Sequence, residues 1–140
     1  MRLLAISGSL RQVSHNTTLV DAAARRAPEG VEVVRFDGLD ALPHYSEDLD
    51  TSAPPAPVRR LREAIASAAA LLVATPEYNG TMPGVLKNAI DWASRPFPDN
   101  ALRGTPIAVV GATTGGFGAA WAQADVRKSL GLAGARVLEG

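Results

Sequence analysis

An α/β fold built on one parallel sheet is predicted by three observations. Strand-like and helix-like segments alternate along the whole chain. The first and third strands read as short apolar runs free of charge inside, as in strands covered on both faces. Both of those strands end in long polar loops, and right-handed crossovers bring such loops to one edge of an open sheet, where ligands bind. The predicted architecture is a single three-layer, doubly wound domain over residues 1–140, strand order 2-1-3-4-5, with a short fifth strand and no final helix.

The elements follow in order. Arg2 to Ser7 is the buried first strand, ending in Ser7-Gly8-Ser9. From Asn16 to Ala27, Leu19, Val20, Ala23, Ala24 and Ala27 mark one face of a helix that Pro28-Glu29-Gly30 stops. Val31 to Phe36 is a β-branched second strand. Asp37 to Pro57 is a long aperiodic loop, a length often tied to function in compact domains. Val58, Leu61, Ile65, Ala68 and Ala69 mark the second helix, and Leu71 to Thr75 the third strand. Pro76 to Gly84 is a loop, followed by a helix carrying Val85, Leu86, Ala89, Ile90 and Ala93. Thr105 to Gly111 is the fourth strand, with Pro106 near its start, where a missing N–H is tolerated. Thr113 to Gly118 is a loop, Ala119 to Leu132 the fourth helix, and Ala135 to Leu138 a short edge strand. The five-strand doubly wound order puts its switch point between the first and third strands, the two with conspicuous loops. No G-x-G-x-x-G follows the first strand, so the flavodoxin-like order is favoured over the six-strand dinucleotide order.

Composition narrows the function. Fourteen Lys and Arg balance fourteen Asp and Glu, which gives no electrostatic footprint for nucleic acid or an acidic membrane. The absence of cysteine excludes disulfides, thiolate catalysis and cysteine-ligated metals. No apolar run approaches the ~20 residues of a membrane helix, and Met1 to Ile6 has no signal-peptide layout. The expected compartment is the cytoplasm. Neither His15 nor His44 has a serine or acid partner in motif context, and no metal-ligand spacing occurs. His44 and Tyr45 read as loop packing. Glu47, Asp48 and Asp50 read as a solvated acidic edge. Trp92 and Trp121 lie on separate helices, in core or interface.

The first loop, Gly8 to Thr17, carries the clearest chemistry. Hydroxyls at Ser9, Ser14 and Thr17, the Asn16 amide and the Arg11 guanidinium precede a helix start, whose N–H groups lack internal partners and carry partial positive charge. That set suits a phosphate. The plainer alternative is that Ser14 or Asn16 only caps the helix. A lysine-bearing P-loop, and with it a nucleoside triphosphate, is absent. The central loop, Pro76-Glu77-Tyr78-Asn79-Gly80, offers a flat Tyr, an Asn and backbone N–H groups suited to a flat, polar-rimmed ring. An ordinary turn would use the same residue types.

Gly8-Ser9-Leu10-Arg11-x-x-Ser14-x-Asn16, then Pro76-Glu77-Tyr78-Asn79-Gly80 through Lys87-Asn88-Ala89-Ile90-Asp91-Trp92, then Thr114-Gly115-Gly116-Phe117-Gly118 resemble the NADPH-dependent FMN reductase family. Leu42-Pro43-x-Tyr45-x-x-Asp48 fits the same pattern, and the resemblance spans nearly the whole chain. It implies FMN as cofactor, NADPH or NADH as hydride donor and a small-molecule acceptor such as a quinone, an azo compound or free flavin. By the resemblance Ser9, Arg11, Ser14, Asn16 and Thr17 hold the FMN phosphate, with His15 in the same loop. Pro76, Glu77, Tyr78, Asn79 and Gly80 lie along the isoalloxazine, and Thr114, Gly115 and Gly116 meet its far edge. No side chain is assigned as catalytic, because flavin does the chemistry. A homodimer or homotetramer is implied, joined largely through the third and fourth helices.

Family members continue into more of the fifth-strand region and a final helix. The chain ends at Gly140, which is read as a truncation or as an edge that another subunit completes. Two other classes share these features. A flavodoxin-type electron carrier would lack NAD(P)H activity, and its expected acidic docking face is not matched by the balanced charge. A flavin-free interaction protein would keep only the fold.

Overall fold

Apolar runs of Val, Ile, Leu and Ala form five parallel strands in the computed structural model, which describes residues 1–139; Gly140 lies outside them. The strands are β1 (Arg2–Ser7), β2 (Glu32–Arg35), β3 (Ala70–Ala74), β4 (Pro106–Val110) and β5 (Arg136–Val137). Their order is β2-β1-β3-β4-β5, as the sequence predicts. Leu4 stands beside Val34 on one side and Leu71 on the other, and Leu71 beside Ile107.

Four helices connect them: α1 (His15–Arg25), α2 (Ala56–Ala66), α3 (Gly84–Ala93) and α4 (Ala120–Leu132). α1 stops two residues before the expected Ala27, because Pro28 disfavours helical backbone at the residue before it. α2 stops at Ala66 with Ser67 as its C-cap, and Ala69 instead donates its N–H to the Arg2 carbonyl, joining the sheet. The second strand and the fifth are both shorter than their apolar runs, being edge strands.

The two sheet faces are unequally covered. Leu4 and Ile6, Leu71 and Val73, and Ile107 and Val109 alternate onto one face, where they meet Leu61 and Ile65 of α2, Leu86 and Ile90 of α3 and Val126 and Leu130 of α4. The opposite face carries Ala5 and Ala74 under Val20 of α1, while Leu3, Val33, Leu72 and Val110 are only partly buried. α1 lies over β1, β2 and β3. Of its expected apolar face only Val20 is buried; Leu19 and Ala24 are exposed.

The long loop from Asp37 holds two single 3₁₀ turns, Leu39–Ala41 and Glu47–Leu49. Buried Leu39 and Leu42 fasten it to the core. The Pro43 carbonyl accepts from Trp92 Nε1 at 2.7 Å and Asn88 Nδ2 at 3.0 Å, and Asn88 Oδ1 accepts the Tyr45 N–H at 2.8 Å. Tyr45 meets the Trp92 ring edge-on at 4.9 Å, so its reading as loop packing holds. Of the two alternatives open for the tryptophans, core holds for Trp92, which is fully buried, and Trp121 is exposed. One expectation is corrected here. Asp50 is no part of a solvated edge: it pairs with Arg62 at 2.9 Å, both side chains 17% exposed, and Arg62 also donates to the Trp92 carbonyl.

Candidate functional site

The loops after β1, β3 and β4 leave the same edge of the sheet, and close packing at the strand ends fixes their bases. The Gly8 N–H donates to the Ala74 carbonyl at 2.8 Å. A Cβ at Gly8 would lie 3.0 Å from Leu86 Cδ2. Gly111 is tighter still: its Cβ would stand 2.9 Å from both the Thr75 carbonyl oxygen and Ala119 Cβ. Only glycine lets the ends of β3 and β4 and the start of α4 approach this closely.

Within the first loop, Ser14 caps α1. Its Oγ accepts from the N–H groups of Asn16 at 3.2 Å and Thr17 at 3.4 Å. Ser9 Oγ accepts the Arg11 N–H at 3.3 Å, and the Ser7 and Thr17 hydroxyls are 3.0 Å apart. Asn16 is buried and reaches across to the loop after β4. Its Nδ2 donates to the Ala112 carbonyl and its Oδ1 accepts the Ala112 N–H, both at 2.9 Å. The Arg11 guanidinium is exposed and makes no ion pair among the described residues.

In the central loop, Tyr78 and Thr81 exchange N–H···O bonds of 3.0 and 3.2 Å around Asn79 (φ 53°) and Gly80 (φ 75°). Positive φ at both central residues is the tight hairpin turn that Asn-Gly favours. A Cβ at Gly80 would meet nothing within 4 Å, so the glycine is required by backbone conformation and not by crowding within the chain. Tyr78 is half exposed beside this turn. In the third loop the Thr113 hydroxyl accepts the Gly115 N–H at 3.2 Å, and Gln123 Nε2 donates to the Gly118 carbonyl at 2.8 Å.

The three loops enclose a hollow of about 180 Å³. Ser9, Arg11, Ser14, His15, Asn16, Pro76, Glu77, Tyr78 and Thr114 all line it. Of the other predicted residues, Thr17 faces a neighbouring hollow, Asn79 and Gly80 form the exposed turn beyond the rim, and Gly115 and Gly116 are exposed. Ala112 and Thr113 also line the hollow and were not predicted. Thr113 adjoins the predicted Thr114 in the same loop; Ala112 contributes backbone, which leaves no signature in residue type.

The neighbouring hollow, about 360 Å³, lies between the loops after β1 and β2 and shares Ser9 and Arg11. Its second cation, Arg35, is bound to Asp37 at 2.9 Å and Asp21 at 3.0 Å, and its pKa is raised chiefly by the hydrogen bond to Asp37. With two carboxylates answering Arg35, Arg11 is the guanidinium free to meet an anion at the start of α1.

A family model described as NADPH-dependent FMN reductase matches residues 1–140. An NAD(P)H-dependent FMN reductase of Pseudomonas aeruginosa is 47% identical over 130 residues, 93% of this chain and 69% of that protein. A 2-hydroxy-1,4-benzoquinone reductase of a Burkholderia species is 43% identical over 129 residues, 91% of this chain and 68% of that protein. Among solved structures, FerB, a flavoenzyme NAD(P)H:(acceptor) oxidoreductase from Paracoccus denitrificans, superposes with a TM-score of 0.91 at 39% identity, covering 99% of this chain and 75% of that one.

Proposed function

The chain belongs to the NADPH-dependent FMN reductase family, oxidoreductases that use FMN with NAD(P)H, and from that premise we propose that it reduces small quinones at the hollow enclosed by the loops after β1, β3 and β4. The observation that carries this reading is the convergence of three sequence motifs, far apart in the chain, on one hollow at the switch-point edge of the sheet.

The donor set fits FMN. The unpaired Arg11 guanidinium, the Ser9 hydroxyl and the positive start of α1 make a cluster suited to a phosphate. Pro76, Tyr78, Ala112 and Thr113 give an uncharged stretch of lining that suits a flat, neutral ring, with the Asn79-Gly80 turn just beyond it. When bound, FMN supplies the hydride-accepting and hydride-donating chemistry. The chain's part is to hold the phosphate through Arg11 and Ser9, to keep the loops in register, and to leave one ring face open beside Tyr78. Asn16 acts in this reading through its clamp on Ala112, since its amide is already engaged there.

Azo compounds and free flavin are further acceptors of the same open face. The protein works as a homodimer or homotetramer in the cytoplasm. In support of assembly, Phe117, Trp121 and Leu132 expose apolar surface on and beside α4. No helix among the described residues is long and apolar enough to cross a membrane.

The test is a titration of apoprotein with FMN and with riboflavin, followed by anaerobic addition of NADPH or NADH and then of 1,4-benzoquinone. Tight FMN binding, bleaching by the nicotinamide and recovery with quinone are expected. FMN binding without bleaching would make the protein an electron carrier, and no flavin binding would overturn the site.

A further inference from the structure

The resemblance sets Glu77 along the ring with the rest of its loop, but one oxygen of its carboxylate is engaged within the protein. Its Oε2 accepts the N–H of Ala122 at 3.0 Å. Ala122 is the third residue of α4, whose N-cap, Ala119, is held in the left-handed region (φ 57°) and has no side-chain oxygen to offer. The first N–H groups of a helix need outside acceptors, and a carboxylate there is favoured by the helix dipole as well. Glu77 thus supplies from another loop the cap that α4 lacks. One turn along, on the same helical face, Thr81 Oγ1 donates to Asp125 Oδ2 at 2.6 Å. The Tyr78–Thr81 turn is therefore tied to α4 on both sides, at Ala122 before it and at Asp125 after it.

We propose that Glu77 is a positioning residue, which by capping α4 fixes the spacing between the Pro76–Gly80 loop and the loop of Thr113 to Gly118, and so sets the seat of the flavin ring. The inference rests on the FMN-site reading given above. α4 begins where the loop after β4 ends, so a bond from Glu77 to its first turn links the two rims of the hollow directly. The arrangement has an electrostatic merit too. A carboxylate facing the ring would oppose the negative charge that reduction adds, and at the start of α4 that charge is answered by the helix. Glu77 and Thr81 act through α4; neither is a catalytic residue.

The test compares Glu77→Ala, Glu77→Gln and Thr81→Val, each checked for folding by circular dichroism. In the apoprotein, Glu77→Ala should speed hydrogen exchange of the Ala122 amide about tenfold or more, while Glu77→Gln, which keeps an acceptor oxygen, should stay near wild type. In the loaded protein, Glu77→Ala should shift the visible absorption band of bound flavin. It should also lower the rate of reduction by NADPH roughly ten- to a hundredfold, the scale of a misplacement near 1 Å. Glu77→Gln should restore most of that rate. Thr81→Val should show the same pattern more weakly, and it carries the test should Glu77→Ala fail to fold. Protection of Ala122 unchanged in Glu77→Ala would overturn the proposal, as would a Gln variant as slow as the Ala variant, which would mean that the charge itself meets the ligand. Wild type that binds no FMN would instead overturn the site reading, while the exchange result would still decide the capping role.

Discussion

Asn16 and Ala112, ninety-six residues apart, are joined by a reciprocal pair of hydrogen bonds, amide to carbonyl and N–H to amide oxygen, each 2.9 Å. One buried side chain thereby locks the start of α1 onto the loop that follows β4. Replacing Asn16 by Ala would leave the N–H and carbonyl of half-buried Ala112 without their partner, a loss of about 1–3 kcal/mol for the two bonds. Asn16→Asp would keep the bond from the Ala112 N–H and set a carboxylate oxygen against the Ala112 carbonyl, so it should rescue only part of that loss. Chemical denaturation of the apoprotein measures both. Equal stability of wild type and Asn16→Ala would contradict the clamp.

Arg11 should act on ligand affinity alone. It is exposed and makes no ion pair among the described residues, so Arg11→Ala should leave the melting temperature of the apoprotein unchanged. FMN binding should weaken by about 1.5 kcal/mol, the low end for a charge-assisted bond because water screens an exposed guanidinium. Riboflavin, which has no phosphate, should be nearly insensitive. Fluorescence titrations with the two ligands separate the outcomes, and equal losses for both would place the phosphate elsewhere.

The strand order and the three loops were legible because apolar runs and turn residues report backbone layout directly. Ser9, Arg11 and Tyr78 stood out because a hydroxyl, a guanidinium and a phenol declare their chemistry by residue type, and all three line the one hollow. The roles of Asn16 and Glu77 were not, since each is satisfied by a backbone group in a distant segment, Ala112 or Ala122, that has no mark in residue type. The same holds for Trp92: a tryptophan on an amphipathic helix fits core or interface equally, and only the Pro43 carbonyl and the Tyr45 ring meeting it decide for the core. Asp50 looked solvated among its acidic neighbours because Arg62 approaches it from a separate helix.

Trp121 is the tryptophan to test for assembly. It is 53% exposed and stands 5.0 Å, ring to ring, from Phe117, itself 70% exposed. If α4 forms the subunit interface, Trp121→Glu should convert the oligomer to monomer by light scattering, since an unpaired charge buried in an apolar contact is costly. The intrinsic fluorescence of Trp92, buried under Tyr45, should be unaltered. An oligomer that survives the substitution would move the interface off this face.

Gly80 is set by its backbone conformation, without crowding from the chain around it. Its φ of 75° lies where a side chain is strained, and Asn79 before it is also left-handed at 53°. Because no atom within 4 Å would meet an added Cβ, the cost of Gly80→Val comes from the turn itself, about 1–2 kcal/mol for a β-branched residue in this region. The turn would relax by moving its central peptides, and the movement would pass to Tyr78 on one side and to Thr81 with its bond to Asp125 on the other. Arg11 and Ser9 belong to a different loop, so the phosphate contact proposed for them would be undisturbed. Reduction by NADPH should therefore fall far more than FMN affinity, by roughly a hundredfold if the ring seat shifts near 1 Å. Gly80→Asn, which tolerates left-handed backbone, should lose much less than Gly80→Val. Stopped-flow reduction and flavin titration on both variants give the comparison. A valine variant that reduces flavin at the wild-type rate would show that this turn does not border the ring, and the placement of the isoalloxazine along Pro76 to Gly80 would fall with it.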